Sequence, residues 1–222
     1  MPQKIIHIYL MPGMAASPII FEHIKLPEDR FEIHWLEWIM PLNNNESLHD
    51  YALRLSKHIK HDDVVLLGVS FGGVLVQEIS KHIKVKKLII VSSVKTVKEL
   101  PVQMLLACKT KAYKLIPTQL ASNIDILAKY AFGNGITKRL DLYKKYLSVN
   151  APEYLSWAIK HMVCWKQEFF QEDIVHIHGD KDAVFPIKNI QSCITVKNGS
   201  HIMIINKYKW FNEHLPRIIL NA

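Results

Sequence analysis

The chain has 222 residues, 49% of them hydrophobic and 22% charged, with a formal charge of +8. That length suffices for one sizeable core, and no apolar run approaches the roughly 18 residues a membrane helix needs. The positive charge admits nucleic acid or an anionic surface as partners, but the lysines recur along the chain, as in "KHIKVKK" (81–87) and "LYKKY" (142–146), without an arginine-rich arm. Solvated helix faces account for such a pattern, so no nucleic-acid partner is expected.

In chain order, "KIIHIYL" (4–10) reads as a buried first strand. Pro12 and Gly13 interrupt the apolar run too early for a secretory signal, although lysine, apolar residues and small residues follow in that order. Next comes a helix start at "SPIIFEHI", with Ser17 able to cap and Pro18 suited to the first helical position. "FEIHWLEW" (31–38) predicts a second strand. Ser47, with Asp50 three residues on, opens an amphipathic helix whose apolar positions Leu48, Tyr51, Ala52, Leu55 and Ile59 keep the 3.6-residue period. "DVVLLGV" (63–69) is too apolar for a strand with one wet face, which predicts a central strand covered on both sides. A helix from Phe71 leads to a strand at 86–93.

From Val94 to Glu172 only helical patterns occur, broken at "FGNG" (132–135). The strand–helix alternation returns with "DIVHIHGD" (173–180), a short helix after Pro186, "CITVKN" (193–198) and a last helix near 203–217. Alternating strands and helices predict a mostly parallel sheet of about six strands flanked by helices. A helical insertion at about 94–165 then lies over one edge of it, within a single domain. Cys108, Cys164 and Cys193 are odd in number and far apart, which reads as reduced thiols of a cytoplasmic protein.

The chemistry-bearing segment is "VVLLGVSFGGVLVQEIS" (64–80). In Gly68-Val69-Ser70-Phe71-Gly72 the serine sits between a buried strand and a helix, with glycine two before and two after it. A serine on so sharp a turn has strained backbone angles, and glycine at the flanks avoids a clash with the chain passing beside it. The hydroxyl is thereby presented at the carboxyl edge of the sheet, at a helix N-terminus that favours a developing anion. Serine needs a base, and the base an orienting acid. "HGDKDAVFP" follows the next-to-last strand and "NGSHIMI" the last, both at the edge where ligands bind in open α/β sheets. His201 is the expected base. Asp180 and Asp182 both offer the acid; Asp182 lies further into the loop, where it can turn back to the histidine, while Asp180 serves the turn through bonds to backbone N–H groups.

These three segments together resemble the α/β-hydrolase superfamily. The matching residues are Gly68 to Gly72 as its nucleophile elbow, Gly179 to Asp182 as its G-x-x-D acid loop and Ser200-His201 as its histidine loop. The resemblance covers the chain apart from the helical stretch, which looks like that family's cap, and it supports Asp182 as the acid. It implies an oxyanion hole of two backbone N–H groups. One comes from Phe71; the other comes from the loop after an early strand, here Met11-Pro12-Gly13-Met14-Ala15, with Met14 as donor and proline where the family often has histidine. It also implies that the chain starts at the family's third strand.

The function expected is a cofactor-independent, metal-independent serine hydrolase acting on a small or medium carboxylic ester, thioester or lactone. The alternatives are a lyase on the same site and a ligand-binding, receptor-like protein that keeps the three residues. Met104, Leu105, Leu106, Tyr113, Leu115, Ile116, Ile126, Leu127, Tyr130 and Phe132 are pocket candidates, although helical spacing makes most of them packing residues. A small ester-like molecule is the expected partner, and monomer and homodimer stay open.

Overall fold

The computed structural model describes residues 4–116 and 145–221. Six strands form one all-parallel sheet: β1 (Ile6–Met11), β2 (Phe31–Trp35), β3 (Val64–Val69), β4 (Val85–Val91), β5 (Val175–Gly179) and β6 (Ile194–Val196). Their order across the sheet is β2-β1-β3-β4-β5-β6. The reversal of winding beside β1 and β3 makes the switch point at which open α/β sheets bind ligands. β3 is buried at every residue, as its uniformly apolar sequence demands.

The helices are α1 (Leu48–Ser56), α2 (Phe71–Ile79), α3 (Val102–Thr110), α4 (Pro152–Val163), α5 (Met203–Asn206) and α6 (Tyr208–Leu220). Helix α1 starts as expected, with the Asp50 backbone N–H donating to Ser47 Oγ at 3.0 Å. The segment after β1 differs. Pro18–Phe21 make a single 3-10 turn, and Ser17, although extended, makes no side-chain cap bond. The segment after Pro186 is likewise one 3-10 turn, Ile187–Asn189.

Between β4 and β5 the described residues are helical or irregular, as predicted. Two of the expected helical patterns, at 118–132 and most of 136–149, lie outside the described residues together with the "FGNG" break. Among the described residues no helix is long and apolar enough to cross a membrane.

The expected reduced state of the cysteines is corrected. Cys108, on α3, and Cys164, just past α4, form a disulfide with their Cα atoms 5.2 Å apart. Helices α3 and α4 pack side by side, and this brings together residues 56 apart in sequence. No spacing rule could pair them beforehand. Cys193 is free and half-buried.

Candidate active site

Strand β3 delivers its last residue into a turn at which Ser70 takes φ 54°, ψ −122°. Such angles are costly for a residue with a side chain and persist only where the surroundings enforce them. Those surroundings are tight. A Cβ on Gly68 would overlap the Gly72 carbonyl and approach Gly73, and one on Gly72 would overlap the Pro12 carbonyl oxygen. Two bonds brace the turn: the Ser70 N–H donates to the Val91 carbonyl at 2.9 Å, and the Ser93 hydroxyl donates to the Ser70 carbonyl at 2.7 Å.

The acid and histidine loops meet this turn from the far side of β4. His201 Nε2 lies 2.9 Å from Ser70 Oγ, and its Nδ1 lies 2.9 Å from Asp182 Oδ2 and 3.1 Å from Oδ1. The network fixes the proton positions: Nδ1–H donates to the carboxylate, which leaves the Nε2 lone pair to accept the serine O–H. Asp182 is only 5% exposed. Its Oδ1 also accepts the backbone N–H groups of Val184 and Phe185, at 2.8 and 2.9 Å. Burial raises the pKa of this carboxyl, but the His201 charge and these hydrogen bonds outweigh it and hold the group below its ordinary value. Asp182 is thus a carboxylate facing an imidazole, an arrangement that can draw a proton from a hydroxyl and stabilise the resulting imidazolium.

Asp180 does not make the expected bonds to the turn. Its Oδ1 is buried without a hydrogen-bond partner among the described residues, because it is Asp182 that collects the backbone N–H groups of the loop.

Met14 and Phe71 line the same cavity as Ser70 and His201. Gly13, beside Met14, would bring a Cβ within 3.4 Å of Ser70 Cβ. Four bonds pin the Gly13–Ala15 segment: Trp38 Nε1–H donates to the Gly13 carbonyl at 2.8 Å, the Ala16 N–H donates to it at 3.1 Å, the Ala15 N–H donates to Tyr154 Oη at 3.3 Å, and the Val149 N–H donates to the Ala15 carbonyl at 3.0 Å.

The cavity measures about 360 Å³. Met104 and Ala107 of α3, Tyr113, Ile116, and Ile159, Met162 and Val163 of α4 wall one side, and Val184, Phe185 and Ile205 close another. No lysine, arginine or carboxylate lies among its described lining residues. Of the pocket candidates, Met104, Tyr113 and Ile116 line it, whereas Leu105, Leu106 and Leu115 are exposed elsewhere. Ile126, Leu127, Tyr130 and Phe132 lie outside the described residues.

Solved structures match nearly the full length of the chain. An extracellular alpha/beta-hydrolase from a Paenibacillus species matches with a TM-score of 0.65 at 14% identity, covering 96% of this chain and 98% of that one. The chain has the α/β-hydrolase fold. A bromoperoxidase from Bacillus anthracis (TM-score 0.69, 18% identity, 98% and 92% covered) and an esterase from Exiguobacterium antarcticum (0.66, 18%, 99% and 93%) are similar to the same extent. No protein-family model and no curated protein sequence matches the chain.

Sequence reasoning missed several residues that hold this site together. Ser93 had only its place after a strand to mark it. Phe185 contributes a backbone N–H and sets its ring 5.5 Å from that of His201, at 64°. His178, fully buried behind the carboxylate, sits with Nε2 3.6 Å from Asp182 Oδ2 and donates to the Phe185 carbonyl at 2.8 Å. Burial holds its pKa down despite that carboxylate, so it is neutral. "HIHGD" carried a visible histidine at this place, but nothing in the pattern told it from a core residue.

Proposed function

We propose that the chain is a serine hydrolase for carboxylic esters with an apolar acyl group. One observation carries the reading: the unbroken hydrogen-bonded chain from Ser70 Oγ through His201 to the buried Asp182 carboxylate. The esterase named among the similar structures agrees with it.

In this reading Ser70 Oγ attacks the ester carbonyl carbon as His201 Nε2 takes its proton. Asp182 keeps the imidazole in the required tautomer and stabilises the cation. Charge then develops on the carbonyl oxygen, which the backbone N–H groups of Phe71 and Met14 receive. Neither makes an internal bond among the described residues that would have to break first. Collapse breaks the C–O bond to the alcohol, which leaves with the proton returned from Nε2. Water, deprotonated by the same nitrogen, then attacks the acyl-enzyme and frees Ser70.

Residues 94–165 serve as a helical cap on a single α/β-hydrolase domain. Its described part, through Met104, Ile159 and Met162, supplies an apolar wall. That wall favours an uncharged acyl chain of small to medium size over an anionic substrate. The chemistry described needs neither metal nor organic cofactor. A cytoplasmic location rested on reduced cysteines; the Cys108–Cys164 bond instead favours an oxidising compartment.

The test is labelling with a fluorophosphonate, with the modified residue located by mass spectrometry, alongside a panel of p-nitrophenyl esters. Labelling at Ser70 that vanishes in Ser70→Ala and collapses in His201→Ala supports the reading, as does steady turnover after any burst. Folded wild type that neither labels nor turns over is a binding protein, not a hydrolase.

A further inference from the structure

At the opposite end of β1 from the elbow, polar residues gather where the sheet needs none. His7 and Tyr9 of β1 face the same side as Glu32 and His34 of β2, since His7 pairs with Glu32 and Tyr9 with His34 in parallel register. His61, from the turn before β3, folds over them, its ring stacked on that of His7 with centroids 3.5 Å apart and planes 8° apart. The cluster lies about 13 Å from the elbow, counting four residues of strand from His7 to Met11.

We propose that His7, His34, His61 and Glu32 form a structural binding site for a zinc ion. Ligand-capable nitrogens of the three histidines all lie within 4.8 Å of one another. His7 Nδ1 and His34 Nε2 are 3.0 Å apart, and Glu32 places Oε2 3.4 Å from the first and Oε1 3.7 Å from the second. Ligands around a tetrahedral zinc, with bonds of about 2.0–2.1 Å, stand roughly 3.3 Å from one another. The two strands already hold three donors near that separation, and His61 offers a nitrogen within 4.8 Å of those of His7 and His34.

Two further observations fit a metal better than a packing role. Facing imidazoles at hydrogen-bond distance are a poor use of a half-buried sheet face, where apolar residues would pack without desolvating polar atoms. A fixed outer shell is also present. Tyr9 Oη lies 2.8 Å from His61 Nδ1 and accepts the Lys60 N–H at 3.0 Å. When the Tyr9 oxygen takes the His61 Nδ1–H, the Nε2 lone pair is free for the ion, the orientation that metal-binding histidines commonly receive from a neighbouring oxygen. Three imidazoles suit zinc, and a fourth ligand from the protein closes the coordination, so the site braces structure and leaves no position for substrate. It ties the edge strand β2 and the turn before β3 to β1.

The experiment uses untagged protein freed of metal, titrated with Zn²⁺ against a chromophoric chelator and followed by thermal denaturation. The expected result is one Zn²⁺ per chain, a higher Tm with Zn²⁺, and loss of both in the His34→Gln/His61→Gln double variant. His214→Gln, at a histidine on α6 outside the cluster, keeps both, and ester hydrolysis is the same in all three. Tyr9→Phe weakens zinc about 10- to 100-fold. Circular dichroism establishes that each variant is folded; should the double variant not be, Glu32→Gln, at an exposed residue, carries the comparison with at least tenfold weaker binding. Wild type that binds zinc no more tightly than the double variant and Glu32→Gln overturns the site, and so does tight binding that survives in those two.

Discussion

Trp38 and Phe71 stack with ring centroids 5.2 Å apart and only 7° between their planes. The indole also donates to the Gly13 carbonyl. One side chain therefore touches both the Phe71 ring and the Gly13 carbonyl, next to the two backbone N–H groups proposed to bind the oxyanion. Trp38→Phe keeps an aromatic ring but deletes the bond to Gly13. Because losing one oxyanion donor outright costs about 10² to 10³ in rate, a loosened one is expected to lower kcat about tenfold. KM should hardly change, since the contact matters in the transition state. Steady-state kinetics on a p-nitrophenyl ester check this, and a raised KM at constant kcat would place Trp38 in substrate binding instead.

Asp182→Asn keeps an oxygen to accept the Val184 and Phe185 N–H groups but cannot hold His201 in the tautomer that accepts from Ser70. The expected loss in kcat/KM is about 10³- to 10⁴-fold, with the fold intact. Fluorophosphonate labelling of Ser70 should slow in parallel. Asp182 also has a folded-state pKa below its ordinary 3.8. Its stabilising contribution is present above that value and lost as pH falls through the lower folded one. Acid unfolding of wild type should therefore include a component below pH 3.8 that the asparagine variant lacks.

His161, on α4, points its Nε2 at the Glu46 carbonyl, 3.0 Å away. Burial lowers its pKa from 6.5 to about 4. Between these values the unfolded chain takes up a proton that the folded chain refuses, so stability falls as pH drops from 6.5 towards 4. A lower Tm at pH 5 than at pH 7 is expected, each 1 kcal/mol of lost stability moving it roughly 2–4 °C for a chain of this size. His161→Gln keeps a donor for Glu46 and should narrow that difference in a pair of melting curves.

The Cys108–Cys164 bond closes a loop with a sequence separation of 56. Chain-entropy arguments give such a link about 4 kcal/mol as an upper figure. Reduction, or Cys108→Ser, should lower Tm and raise KM more than it lowers kcat, because Met104, Ala107 and Val163 of the two linked segments line the cavity while Ser70, His201 and Asp182 stand on other loops. Differential scanning calorimetry and kinetics with and without reductant measure both.

Much of this was legible in the residues. Short apolar runs between turn residues located all six strands, and the 3.6-residue period located α1, because those elements bury one face or two against a single sheet. Glycine at 68 and 72 announced the elbow because backbone passes too close there for any side chain. Asp182 and His201 followed from their places after the last two strands. Harder were features decided by contacts between distant segments. Ser17 looks like a cap, yet only one 3-10 turn follows it. The disulfide depends on how α3 meets α4. Gly179 and Gly199 are a further case: a Cβ on either would run into the other's backbone. That mutual approach sets the acid loop against the histidine loop, and neither glycine signals it alone.

The cavity wall and the reacting groups come from different stretches of chain. Ser70, Asp182 and His201 stand on three turns at the sheet's carboxyl edge, braced by Ser93, Phe185 and Trp38, while much of the wall belongs to the helices between β4 and β5. The molecule is modular in that sense. Exchanging Met104, Ile159 or Met162 for larger or smaller apolar residues should retune the acyl-chain preference of the proposed activity and leave the bonds among Ser70, His201 and Asp182 untouched.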